Sequence, residues 1–239
     1  MQSKLFGEFM GTLILILLGD GVVAAVCLNK TKAQNAGWVA ITAGWGFAVM
    51  CGVFMSIACG SPDAHLNPAV TIGNAVATGD FSRLPYIAAQ FAGAMCGALL
   101  VWLYYRHHFD ATPDPAAKFG CFATAPAIRS LGSNFFSEAI GTFVLITVIA
   151  AFNSKAVGTL ATGMGPYLVG MLVWSIGLSL GATTGYAINP ARDIGPRVIH
   201  AIVPMRGKGS SDWAYAPVPL FGPIAGAVLA GTFIRVVGL

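Results

Sequence analysis

The chain has 239 residues, of which 56% are hydrophobic and 9% charged, and a formal net charge of +4. Soluble domains carry roughly a quarter charged residues, so this composition excludes a solvated globular surface, and its apolar content excludes disorder. The 13 Lys and Arg form no run or stripe, which argues against a nucleic-acid partner. The five Cys are odd in number and include no CxxC pair, so no disulfide framework, metal site or redox motif is expected.

A bilayer core of about 30 Å needs roughly 20 apolar residues per helix. In chain order, apolar stretches run over about 6–27 and 38–58. The first has no small-residue cleavage site and is followed by more spans, so it reads as a transmembrane helix and not as a signal peptide. GSPDAHLNPAVTIGNAVATGD follows, too short and too polar to span, and is a candidate re-entrant half-helix. A third span covers about 84–105, and residues 106–133 form a long polar connection in which His107 and His108 read as solvated. Spans at about 134–152 and 165–182 come next, then ATTGYAINPARDIGPRVIHAIV, a second candidate half-helix, and a last span at about 218–237.

The two sides of the connection repeat. Phe6-Gly7-Glu8 with Gly11-Thr12 returns as Phe136-Ser137-Glu138 with Gly141-Thr142, an offset of 130 residues. Asn67-Pro68-Ala69 returns as Asn189-Pro190-Ala191, an offset of 122. Each repeat, about 1–108 and about 131–239, holds three spans, so the second must enter the membrane from the opposite side. Such inverted repeats place a transport site near the midplane, at the repeat interface. The whole of 1–239 is therefore expected to form one channel domain. With both termini cytoplasmic, Lys4, Arg83, Lys155 and Arg235 face inside; charge counting does not favour this orientation.

Asn is a preferred N-cap, Pro fits the first helical position and Ala continues a helix, so the sequence predicts short helices starting at Pro68 and Pro190. In an inverted repeat their N-termini meet mid-membrane. Each end carries roughly half a positive charge, and together they form a barrier to cations and protons. The amides of Asn67 and Asn189 can then donate into a pore. Arg192 follows the second motif, and a charge at membrane depth marks a pathway. Glu8 and Glu138 hold equivalent positions and are expected to brace backbone N–H groups of the re-entrant loops, while His65 either lines the pore or braces it.

HLNPAVT at 65–71 and GYAINPARDIGP at 185–196, with the Glu8/Glu138 repeat, resemble the major intrinsic proteins, the aquaporins and aquaglyceroporins. The resemblance implies an all-α membrane fold of six tilted transmembrane helices plus two re-entrant half-helices. It also implies one pore per subunit, a homotetramer in the lipid bilayer, and no cofactor. Asp193 and Arg197 after the second motif, with Pro219-Leu220 in the last helix, resemble the bacterial glycerol-facilitator branch. By that resemblance Trp45, Gly177, Tyr186 and Arg192 form the selectivity filter, Gly177 standing where water-selective members typically place His. Backbone carbonyls of Asp63, Ala64, His65, Gly185, Tyr186 and Ala187 form a ladder for hydroxyl groups.

Three residues depart from that branch. Tyr186 stands where Phe is common, Asp63 where Gly is common, and Ala125 where an aromatic is usual. The expected function is passive conduction of glycerol, other small polyols and some water across a bacterial inner or plasma membrane, with ions and protons excluded. A water-selective pore and an ion-coupled secondary transporter are the alternatives. No nucleophile or metal-ligand motif supports an enzyme.

Overall fold

The computed structural model describes residues 3–239, and among them the chain forms ten α-helices, one 3₁₀ turn and no strand. Five helices are long and apolar enough to cross a membrane: α1 (Lys4–Cys27), α2 (Trp38–Ala58), α4 (Tyr86–Tyr104), α7 (Leu131–Phe152) and α10 (Pro217–Val237). A sixth, α8 (Met164–Ser179), has 16 residues, about 24 Å at 1.5 Å per residue. The 3₁₀ turn Gly181–Thr183 continues it. The sequence expectation of a span to residue 182 thus resolves into a shorter helix and a tighter turn. Large apolar side chains such as Leu103, Phe136, Phe221 and Leu229 are exposed on the outside, as lipid-facing surfaces require.

Two half-length helices complete the set. α3 (Pro68–Thr78) and α9 (Pro190–Ile202) span 11 and 13 residues. Asn67 caps the first, its Oδ1 accepting from Ala69 N at 2.8 Å. Asn189 caps the second, accepting from Ala191 N at 3.0 Å and Arg192 N at 3.3 Å. Pro occupies the first helical position of both, where its missing N–H costs nothing.

Packing crosses between the two sides of the chain. α1 lies against α2 and α4, and α7 against α10; α3 packs on α10, α9 on α4, and α2 on α8. The α2–α8 contact needs glycine at both Gly46 and Gly170. A Cβ at either would sit 2.8 Å from the other's carbonyl oxygen, so the helices approach backbone to backbone, as small residues permit in lipid.

The connection 106–133 differs from its expected solvated form. It holds two short helices, α5 (Arg106–Ala111) and α6 (Pro115–Gly120). Phe109, Phe119, Cys121 and Phe122 are buried in the core. His107 stays exposed, but His108 Nδ1 lies 3.1 Å from the Asn29 carbonyl. The polar residues of this segment hid isolated aromatics that act as plugs, a pattern too short to register as a span.

Candidate functional site

Between α2 and α3, and between α8 and α9, the chain enters the protein interior without regular structure. Ala64, Leu66, Tyr186 and Ile188 all take positive φ, between 38° and 52°. Non-glycine residues rarely do so, and each such residue costs on the order of 1–3 kcal/mol unless its surroundings enforce it. Two carboxylates enforce it here. Glu8, fully buried, accepts from His65 N at 2.9 Å and Leu66 N at 2.8 Å. It accepts as well from Ser61 Oγ and Gln90 Nε2, both at 2.8 Å. Glu138 accepts from Ala187 N at 3.0 Å and Ile188 N at 2.8 Å.

The strained loops bring the two caps together. Asn67 Nδ2 donates to the Ile188 carbonyl at 2.8 Å, and Asn189 Nδ2 donates to the Leu66 carbonyl at 2.9 Å. Each amide has two N–H groups, so this reciprocal pair uses one and leaves the other for the cavity that both residues line. The N-termini of α3 and α9 therefore meet at one place, with their positive dipole ends adjacent.

That place lies on the wall of a cavity of about 400 Å³. At one end the wall includes Asp63, Ala64 and Asn153; at the other it includes Trp45, Tyr186 and Arg192. His65, Leu66, Val70, Ala187 and Ile188 lie along it. His65 Nδ1 sits 3.1 Å from Thr71 Oγ1. Burial works upward on the Asp63 carboxyl. Hydrogen bonds from Arg83 and Tyr86, with the charges of Arg83 and Lys4, outweigh it and hold the carboxyl down to about 2. Asp63 is thus a clasped anion, with Arg83 Nε at 2.9 Å and Tyr86 Oη at 2.8 Å.

Arg192 is 7% exposed. Its guanidinium carbon lies 4.1 Å from the centroid of the Trp45 ring, well inside cation–π range. Nη1 donates to the Phe122 carbonyl at 3.3 Å and lies 3.5 Å from Asp20 Oδ1. Tyr186 stands edge-on to Trp38, 5.8 Å between ring centroids, and Trp38 Nε1 donates to the Gly177 carbonyl at 3.1 Å.

Gly177 and Gly185 are set back from the cavity wall. A Cβ on Gly177 would lie 2.9 Å from both Cζ and Oη of Tyr186 and 2.9 Å from Thr42 Cγ2. The room that a small residue opens at Gly177 is therefore filled by the Tyr186 phenol. Gly185, at φ 83°, turns the chain ahead of Tyr186.

Asp193 and Arg197 lie behind the wall. Arg197 is fully buried and grips Asp193 through Nε at 2.8 Å and Nη2 at 3.0 Å. It also donates to the carbonyls of Thr124, Ser211 and Asp212. Asp193 Oδ2 accepts from Thr124 N and Oγ1 at 2.7 and 2.6 Å. Together they fix the segment whose Phe122 carbonyl meets Arg192. Pro219 is buried in the first turn of α10, with Leu220 half-buried beside it, and Ala125 is exposed.

Sequence reasoning missed Asp20, Trp38, Thr124 and the Phe122 carbonyl. Asp20 carried a readable signal as the second carboxylate, after Glu8, of the apolar helix Lys4–Cys27, since ionisable residues within spans are rare and functional. The others carried none, being ordinary residues brought in by tertiary contact.

Comparison with known proteins gives a consistent picture. The sequence profile of the family described as Major intrinsic protein matches residues 1–234. The chain is 57% identical to "Glycerol uptake facilitator protein 3" of Lactiplantibacillus plantarum, over 99% of this chain and 97% of that one. It is 54% identical to "Glycerol uptake facilitator protein" of Streptococcus pneumoniae strain R6, over 96% and 97%. Among solved structures, the aquaglyceroporin from Plasmodium falciparum superposes with a TM-score of 0.84 at 31% identity, covering 97% of this chain and 94% of that one.

Proposed function

The chain belongs to the major intrinsic protein family, and from that premise we propose that its cavity is a passive pore for glycerol and similar small neutral solutes. It is a channel, not an enzyme, and resides in a membrane as a multi-pass protein. The observation that carries the reading is one cavity wall joining both capped Asn residues to the Trp45–Tyr186–Arg192 end.

In this reading the ring faces of Trp45 and Tyr186 take the carbon side of a polyol, and Arg192 donates to its hydroxyls. Carbonyls along Asp63–His65 and of Tyr186 and Ala187 accept from them. Irregular backbone at this depth is tolerated where it lines a wet cavity, and a ladder of weak sites lets solute leave as readily as it enters. The Asn67 and Asn189 amides, backed by two helix N-termini, orient each passing hydroxyl and repel protons and cations. Glu8 and Glu138 hold the strained loops open. Gly177 acts through Tyr186, by giving its ring a seat. Residues 1–239 act as one pore domain formed from two inverted halves, about 1–108 and about 131–239. Four copies assemble in the bilayer of a bacterial inner or plasma membrane, with both termini cytoplasmic, and water accompanies the solute.

Stopped-flow light scattering on proteoliposomes tests this. Glycerol shrink–swell kinetics should run well above those of empty vesicles, with larger polyols progressively excluded. Rapid water flux with glycerol at the empty-vesicle rate would favour a water-selective pore instead.

A further inference from the structure

Asp20 is the one buried acid of α1 that the account above leaves idle. It is fully buried, yet among the described residues neither of its oxygens accepts a hydrogen bond from the protein. Glu8, three turns earlier on the same helix, has both oxygens fully engaged by four donors. Asp20 is therefore no backbone brace. What it faces is Arg192, at 3.5 Å. Its neighbour Gly19 lies so close to Trp45 that a Cβ there would run into the indole ring. This turn of α1 is thus the back wall of the filter, with Gly19 seating the Trp45 ring and Asp20 opposite the guanidinium lying on that ring.

Burying a carboxylate without hydrogen-bond donors costs stability, and a buried ion pair is weak evidence for a stabilising role. The effect of the pair falls on Arg192. Resting on the reading of Trp45, Tyr186 and Arg192 as the filter, we propose that Asp20 is a specificity-determining positioning residue: it holds the Arg192 guanidinium back against Trp45 and offsets its charge. Without that anion, the polar medium open to the guanidinium is the cavity it already borders. The cation turns there for solvation, narrows the opening that a three-carbon backbone needs, and adds an unbalanced positive charge to the constriction. Water, being smaller, is less affected.

The test measures glycerol and water permeability in proteoliposomes for the parent, Asp20→Asn, Asp20→Val, Arg192→Val and Asp20→Asn/Arg192→Val. Asp20→Asn should lower glycerol permeability roughly tenfold, equivalent to about 1.4 kcal/mol of barrier, and water permeability by about twofold or less. Asp20→Val should shift the ratio in the same direction. It leaves the Arg192 charge without its partner, so assembly of this variant is checked by gel filtration in detergent before its permeability is read. In the Arg192→Val background, Asp20→Asn should leave the glycerol-to-water ratio unchanged, because contacting residues share their effect. A parental ratio in both single Asp20 variants would overturn the proposal. So would an equal shift with and without Arg192, or failure of both variants to assemble, which would assign Asp20 to folding. A parental ratio in Arg192→Val alone would sink the filter reading itself and is read independently.

Discussion

The two half-helices of this protein begin alike and then diverge. Both open on an Asn N-cap and a Pro, both caps donate to the other's loop, and both loops hang from a buried glutamate. Beyond the caps, α3 continues with Val70, Thr71 and Ala75, whereas the corresponding places of α9 hold Arg192, Asp193 and Arg197. All three α9 residues are buried. The first half-helix therefore brings only neutral side chains, those of Asn67, Val70 and Asn74, to the cavity wall. The second adds a charged apparatus that presents Arg192 to the cavity and ties α9 to the segments 121–125 and 211–212. Matched halves bring the two caps together at one place on the cavity wall, and the mismatch puts a cation on that wall from the second half alone.

The largest expected effect breaks the charged apparatus. Arg197→Ala strips Asp193 of its cation inside the protein, and removing one partner of a buried pair costs about 3–5 kcal/mol. Its counterpart in the first half, Thr71→Val, loses contacts with Gln90, Asn67 and His65, where a neutral hydrogen bond contributes about 1 kcal/mol. Thermal unfolding in detergent should separate the two clearly. Equal shifts would mean that the halves are supported equivalently after all.

The glutamates sharpen the comparison. Glu8→Gln places an amide NH2 against a backbone N–H whichever way it turns, that of His65 or of Leu66, and weakens acceptance from four donors in all. Glu138→Gln meets one backbone donor on either side. Each charge-assisted bond contributes roughly 1.5–3 kcal/mol, so both variants should lose thermal stability, Glu8→Gln more. A larger loss for Glu138→Gln would reverse this ranking.

At the proposed filter, Gly177→His drives a side chain into Tyr186 and Thr42. The phenol then moves toward the cavity, and glycerol permeability should fall about tenfold or more, roughly 1.4 kcal/mol of barrier, with a smaller loss for water. Pairing the change with Tyr186→Phe should recover little, because the ring and not the hydroxyl is displaced. Full recovery would show that the hydroxyl sets the width.

The smallest effect lies at the Asp63 end of the cavity. Since the Asp63 carboxyl is depressed from 3.8 to about 2, its clasp with Arg83 contributes above the unfolded value and is lost only as pH falls through the folded one. Thermal stability should therefore be insensitive to this group from mildly acid to alkaline pH. The destabilisation caused by Arg83→Gln should shrink only in strong acid. A shrinkage already in mild acid would show that Asp63 is not held low.

Most of the fold was readable because its determinants are local. Asn-Pro-Ala is a capping signal, apolar run length sets the spans, and Glu8 and Glu138 recur at matched places. The structure adds what run length and capping cannot convey. The 106–133 connection folds inward on Phe109, Phe119 and Phe122, residues scattered among polar neighbours. Gly177 suggested an open space that only the three-dimensional position of Tyr186 fills. The Phe122 carbonyl carries no side-chain signature whatever. Asp20 alone was legible in principle, as an acid inside an apolar span.

The central claim is that neutral solute crosses without a coupled ion. Proteoliposomes loaded with a trapped pH-sensitive dye and challenged with a glycerol gradient test it in one trace. Light scattering should report glycerol equilibration at a rate independent of any imposed proton or sodium gradient, while the internal pH stays at that of empty vesicles. Glycerol flux that rises with an imposed gradient, or an internal pH that moves with the solute, would contradict the account.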